Sequence, residues 1–106
     1  MTDFDDLIGV PYVEDGRDPG TGLDCYGLVL VIAERIGRRP EWREVPFSSR
    51  QAGDVLALSV LGVPGHTGVV IDAERMIHAA RGKGVCVERY TGVAWRRRVS
   101  GVFRFV

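Results

Sequence analysis

The stretch Asp24-Cys25-Tyr26-Gly27-Leu28-Val29 places a cysteine at the start of an apolar run that continues to Ile36. Val29, Ile32, Ala33 and Ile36 recur at helical spacing, Leu28 and Val31 widen the stripe, and Gly37 follows as a stop. The spacing predicts a central helix over 25–36 with Asp24 as its N-cap. Open N–H groups and the positive end of the helix dipole favour thiolate over thiol at that point, so Cys25 is a candidate nucleophile. The plainer alternative is a small core residue.

Upstream, Tyr12 to Gly22 is dense in glycine, proline and aspartate, an irregular loop leading into the cysteine. Before it, Asp3 to Ile8 reads as a short first helix, with Phe4, Leu7 and Ile8 on one face and Gly9 and Pro11 ending it. Downstream, Arg38 to Ala52 is polar, contains Pro40 and Pro46 and shows no period, so it reads as a connecting loop. Residues 54–60, 66–71, 75–80, 84–89 and 99–106 are short, rich in Val, Ile and Phe, and separated by Gly, Pro or Asp. Their close spacing implies hairpins and an antiparallel sheet of about five strands. Residues 90–98 read as loop or a short helix. Helices first and strands after give an α+β fold in one domain over residues 1–106.

The 106 residues carry a formal net charge of zero, which argues against a nucleic-acid binder that relies on phosphate neutralisation. Arg96, Arg97 and Arg98 read as a solvated face. Cys25 and Cys86 are too few for a disulfide scaffold, although a single bridge stays open. No apolar stretch approaches the roughly 20 residues needed to span a bilayer, so no membrane insertion is expected. The acidic start has no apolar signal-peptide core, and the expectation is a soluble chain, cytoplasmic at synthesis.

A cysteine hydrolase needs a thiolate, an imidazole to shuttle the proton, and a polar group that fixes the imidazole. The two histidines, His66 and His78, lie twelve residues apart with Asp72 at their midpoint. A hairpin centred near Asp72 through an odd-length loop makes them cross-strand neighbours at about 5 Å. A two-residue loop at Ala73-Glu74 would instead pair His66 with Arg81 and put His78 on the opposite face. Taken singly, each histidine is more often a satisfied partner of a backbone group. Cys86 alternates with Val85 and Val87 and reads as packing. Two cysteines and two histidines also form a zinc inventory, but structural zinc sites bring ligands in close pairs such as C-x-x-C, which this chain lacks. No metal and no cofactor are expected.

Taken together, Pro11-Tyr12, Gly22-Leu23-Asp24-Cys25-Tyr26-Gly27-Leu28-Val29, Ala52-Gly53-Asp54-Val55-Leu56, Gly65-His66-Thr67-Gly68-Val69-Val70 and Met76-Ile77-His78-Ala79 resemble the NlpC family of cell-wall cysteine peptidases. The order of the motifs and the interval between the histidines both match, from Leu7 to Phe105. The resemblance implies a papain-like fold with a cysteine-bearing helix packed on an antiparallel sheet. It implies Cys25 as nucleophile, His66 as base and His78 as the group that orients His66. Tyr12 would sit beside the thiol and help hold substrate or oxyanion, and Asp24 would help bind the free amine of a peptidoglycan stem peptide. The backbone N–H of Cys25 is a second oxyanion donor on general grounds.

The activity so implied is hydrolysis of peptide or amide bonds in peptidoglycan stems, commonly between D-glutamate and a diamino acid. Tyr26 stands where most bacterial members have serine, and the 38–52 loop is short, so the bond preference stays open at a cleft that Tyr26 helps to form. The Asp-Cys-Tyr-Gly variant resembles the branch encoded by tailed phages, prophages and gene transfer agents. That likeness implies phage tail proteins as partners and a tail-like particle as the carrier to the wall. Two alternatives remain: a tail-tip or assembly component whose cleft serves docking, and a papain-like amidase or acyltransferase with a substrate outside the wall.

Overall fold

Cys25–Arg35 form the helix that the apolar spacing predicts, labelled α1. Asp24 holds extended backbone and accepts the Gly27 N–H on Oδ1 at 2.7 Å, satisfying one of the donors that a helix start leaves open. At the other end Gly37, at φ +70°, closes a Schellman turn: its N–H reaches the Glu34 carbonyl and the N–H of Arg38 reaches that of Ala33. Leu28, Val29, Ile32 and Ala33 are buried. Each of the larger three contributes roughly 1.5–3 kcal/mol relative to exposure.

The structure is a computed structural model describing residues 3–106. Two short strands, β1 (Arg17–Asp18) and β2 (Gly22–Leu23), pair just before α1. After the helix come β3 (Trp42–Val45), β4 (Val55–Val60), β5 (Val63–Val70), β6 (Arg75–Ala80), β7 (Gly84–Arg89) and β8 (Val99–Phe105). They form one sheet in the order β3-β8-β4-β5-β6-β7, with every neighbour antiparallel. The expected α+β architecture, with the cysteine-bearing helix on an antiparallel sheet, is therefore the one observed.

Two local differences have physical reasons. The expected loop 38–52 contains β3, an edge strand in which only Val45 is buried. It lacks the apolar alternation that marks a strand in sequence and is defined by backbone pairing along β8, so the sheet has six strands where about five were expected. The first helix is reduced to a 3-10 turn over Asp5–Leu7, because the Gly9 N–H bonds the Val85 carbonyl and draws the chain onto β7. Residues 90–98 form successive turns, the loop of the two readings left open there.

The strand alternation feeds two layers. On one face α1 packs Leu28, Val29 and Ile32 against a set that includes Val69, Ile77, Ala79 and Val85. On the other, Leu56, Leu58, Val70 and Met76 pack with Tyr90 and Trp95 from the turns after β7. A sheet covered on both faces accounts for the nearly continuous apolar reading of β6. Asp54, 2% exposed, accepts Arg104 Nε and Nη2, each at 3.0 Å, and the Gln51 N–H at 2.9 Å, which ties β8 to the turn before β4.

Candidate active site

The start of α1 and the ends of β5 and β6 border a cleft of about 730 Å³. Tyr12, Asp24, Cys25, Tyr26 and His66 line it, while His78 is fully buried. Cys25 is half-buried, and its Sγ lies 3.8 Å from the carbonyl oxygen of Gly65, the residue before His66. Both cysteines are free, so the bridge left open by the sequence is not formed.

The histidines are brought together by the β5–β6 hairpin. Its loop is Asp72-Ala73-Glu74, in which Asp72 Oδ1 accepts the N–H groups of Glu74 at 2.9 Å and Arg75 at 2.8 Å. The odd loop keeps His66 and His78 on one face, but its centre is Ala73: Val69 pairs with Ile77 and Val70 with Met76. Continuing that register sets Gly68 opposite His78. The histidines are thus diagonal neighbours, not the direct pair expected, and their rings still meet, with His66 Nε2 2.8 Å from His78 Nδ1. Gly68 leaves room for this, since a Cβ there would lie 2.8 Å from Met76 Sδ and 3.4 Å from His78 Cβ.

Sequence alone did not single out Glu88, Trp95 or Arg17. His78 pairs with Cys86 across β6 and β7, and Glu88 is the next residue on the Cys86 face, its Oε2 2.5 Å from His78 Nε2. Cys86 Sγ lies 3.6 Å from the same nitrogen, so the residue read as packing borders the histidine. Trp95 stacks on His66 at 5.7 Å and meets His78 edge-on at 5.3 Å. The signal for Glu88 was its alternation with Cys86 in Val85-Cys86-Val87-Glu88; Trp95 sits in aperiodic turns and offered none.

The remaining expected residues frame the mouth. Asp24 caps α1 and also accepts the Asp15 N–H at 3.1 Å and Arg17 Nη1 at 2.8 Å. The Arg17 guanidinium lies over the exposed Tyr26 ring at 5.6 Å. Tyr12 is half-buried under the Arg81 guanidinium, which pairs with Glu14.

Burial, then the adjacent His78, pushes His66 down to about 4 despite the Glu88 charge. Burial also lowers His78, against the pull of Glu88. Burial alone would raise Glu88, but His78, the Trp95 N–H and Lys83 hold it below the usual carboxylate range. The same balance lowers Asp24, where burial is outweighed by the Gly27 N–H and Arg17. Burial and the Glu88 charge push the Cys86 thiol up. Near neutral pH the interior thus holds two neutral imidazoles against one carboxylate. Among the described residues, the metal-ligating groups that converge are His78, Cys86 and Glu88, with ligand atoms within 4.8 Å of one another. The two-cysteine, two-histidine zinc set is not assembled.

A cysteine at a helix start beside histidines on an antiparallel sheet is the arrangement of the papain-like α+β class. Residues 9–104 match the NlpC/P60 family, and the chain belongs to it. It is 32% identical over 110 residues to the Gamma-DL-glutamyl hydrolase of Bacillus subtilis (strain 168), a match that covers 92% of this chain and 27% of that protein. The chain therefore spans about a quarter of the length of that relative. Among solved structures, an NLP/P60 family protein similar to lipoprotein from Staphylococcus aureus subsp. aureus Mu50 superposes with a TM-score of 0.80 at 22% identity, over 95% of this chain and 38% of that one. The NlpC/p60 domain of the peptidoglycan hydrolase SagA gives 0.71 at 26% identity, over 94% and 91% of the two chains. NlpC2 from Trichomonas vaginalis gives 0.77 at 20% identity, over 94% and 43%. Among the described residues no helix is long and apolar enough to cross a membrane.

Proposed function

We propose that this domain is a cysteine peptidase or amidase acting on peptide bonds of peptidoglycan stems, with Cys25 as nucleophile, His66 as base and His78 orienting His66. The observation that carries the proposal is the 2.8 Å contact between His66 Nε2 and His78 Nδ1 beside the cleft that also holds Cys25. The names of two relatives, a gamma-DL-glutamyl hydrolase and a peptidoglycan hydrolase, support the substrate class.

The thiol, at rest against the Gly65 carbonyl, turns to the neighbouring His66 ring and gives up its proton as Sγ attacks the scissile carbonyl. The Cys25 N–H and the Tyr12 hydroxyl receive the oxyanion. His66 then protonates the departing amine, leaving a thioester. Water, deprotonated by His66, attacks the thioester, and the returning proton restores the thiol as the carboxylic acid leaves. A substrate amine that reached Asp24 would displace the Arg17 guanidinium, whose side chain is 45% exposed. Delivery to the wall by a phage-tail-like particle, after synthesis in the cytoplasm, belongs to the same proposal and is supported by the Tyr26 motif alone.

The test is mass spectrometry of purified peptidoglycan fragments after incubation with the parent protein and with Cys25→Ser. New fragments are expected only with the parent, and their masses identify the bond. His66→Ala should lower kcat by about 10²–10⁴-fold, the usual scale of general acid–base catalysis. Intact fragments from several wall chemistries, despite a reactive Cys25, would move the assignment to a docking role or to an amide outside the wall.

A further inference from the structure

We infer that Glu88 is a positioning residue: its carboxylate fixes where both imidazoles carry their protons, leaving Nδ1 of His66 bare. This rests on the proposed roles of Cys25 and His66 and extends them inward by one residue.

Each ring contact admits a single proton. A carboxylate only accepts, and the groups set against Glu88 are all donors: His78 Nε2 at 2.5 Å, the Cys86 thiol at 3.9 Å, Lys83 Nζ at 3.6 Å from Oε1, and the Trp95 indole. His78 therefore carries its proton on Nε2, since the other tautomer would press two lone pairs together. Its Nδ1 is then an acceptor, and the group 2.8 Å away, His66 Nε2, must donate to it. With its one proton committed there, neutral His66 keeps a lone pair on Nδ1, the form a base requires. Trp95, stacked on His66 and edge-on to His78, packs against both rings, which stand at 76° to each other. When His66 takes up a second proton, the charge at one end of the chain faces the Glu88 anion at the other.

An isosteric Glu88→Gln preserves packing but offers one acceptor oxygen where Lys83 and His78 present two donors. The protonated ring nitrogens of ¹⁵N-labelled parent and variant are read by long-range ¹H–¹⁵N correlation at pH 7.5. The parent should show both histidines protonated at Nε2, and Glu88→Gln a mixture. Carbamidomethylation of Cys25 by iodoacetamide, mapped by peptide mass so that Cys86 is counted separately, should slow about tenfold in the variant, with kcat falling and KM unchanged. A proton on His78 Nδ1 in the parent overturns the inference. So does a variant that keeps the parental protonation pattern, even if it is slower, because that outcome describes packing alone. If Glu88→Gln fails to fold, the parent spectrum still decides. Should the protonation pattern hold while peptidoglycan stays intact, the proposed activity fails and the role of Glu88 stands.

Discussion

His66 carries a pH signature that can be read without substrate. Its native value of about 4 lies below the 6.5 of an exposed histidine, so between these values the unfolded chain binds more protons than the folded one. Stability should therefore rise with pH across that window and be lost as pH falls through it. His78, lowered in the same direction, adds to the effect. The urea midpoint is expected to decline progressively from pH 6.5 to 4, and His66→Gln to flatten that part of the profile. A level midpoint across the window would contradict a neutral, half-buried imidazole. At this scale the sequence marked Cys25, His66 and His78 as candidates, because rare reactive residues stand out. The alternation with Cys86 was too weak to mark Glu88, because a carboxylate beside Arg89 in a strand reads as surface until the neighbouring strand supplies its partner.

At the scale of elements, two glycines hold the site together by leaving space. A Cβ on Gly27 would lie 2.1 Å from the Gly16 carbonyl oxygen, so the first turn of α1 is pressed against the loop before it. Gly27→Ala should cost about 1–3 kcal/mol, as overpacking does, and change the alkylation rate of Cys25 by shifting the helix start. Thermal unfolding and thiol kinetics on the same sample check both effects. Gly68→Ala meets a yielding group, the Met76 sulfur, and then His78 Cβ. A stability loss of about 1 kcal/mol is expected there, with a larger proportional fall in kcat, because the diagonal between the rings must lengthen. Equal parental activity would show that the diagonal tolerates strain. The helix and β6 were legible because their apolar residues form clear periods or runs. The hairpin register was legible only in parity. Asp72 spends its side chain on the N–H groups of Glu74 and Arg75, so it opens the loop and cannot be its centre. β3 was illegible because an exposed edge strand is specified by its partner's backbone more than by its own residues.

For the molecule as a whole, Asp54 and Arg104 join segments fifty residues apart. Removing one partner leaves a buried carboxylate without its cation, so Arg104→Met is expected to lower the denaturant midpoint, and Asp54→Ala in that background to recover part of the loss. Denaturant unfolding of the two single variants and the double variant measures the coupling. The two-layer construction has a separate consequence for the order in which the domain comes alive. The sulfur arrives with α1 on one side of the sheet, whereas the wall against which both imidazoles rest, Trp95, belongs to the other. During translation Cys25 is made seventy residues before Trp95. A nascent chain can therefore carry its helix before it has the indole on which the His66 and His78 rings rest.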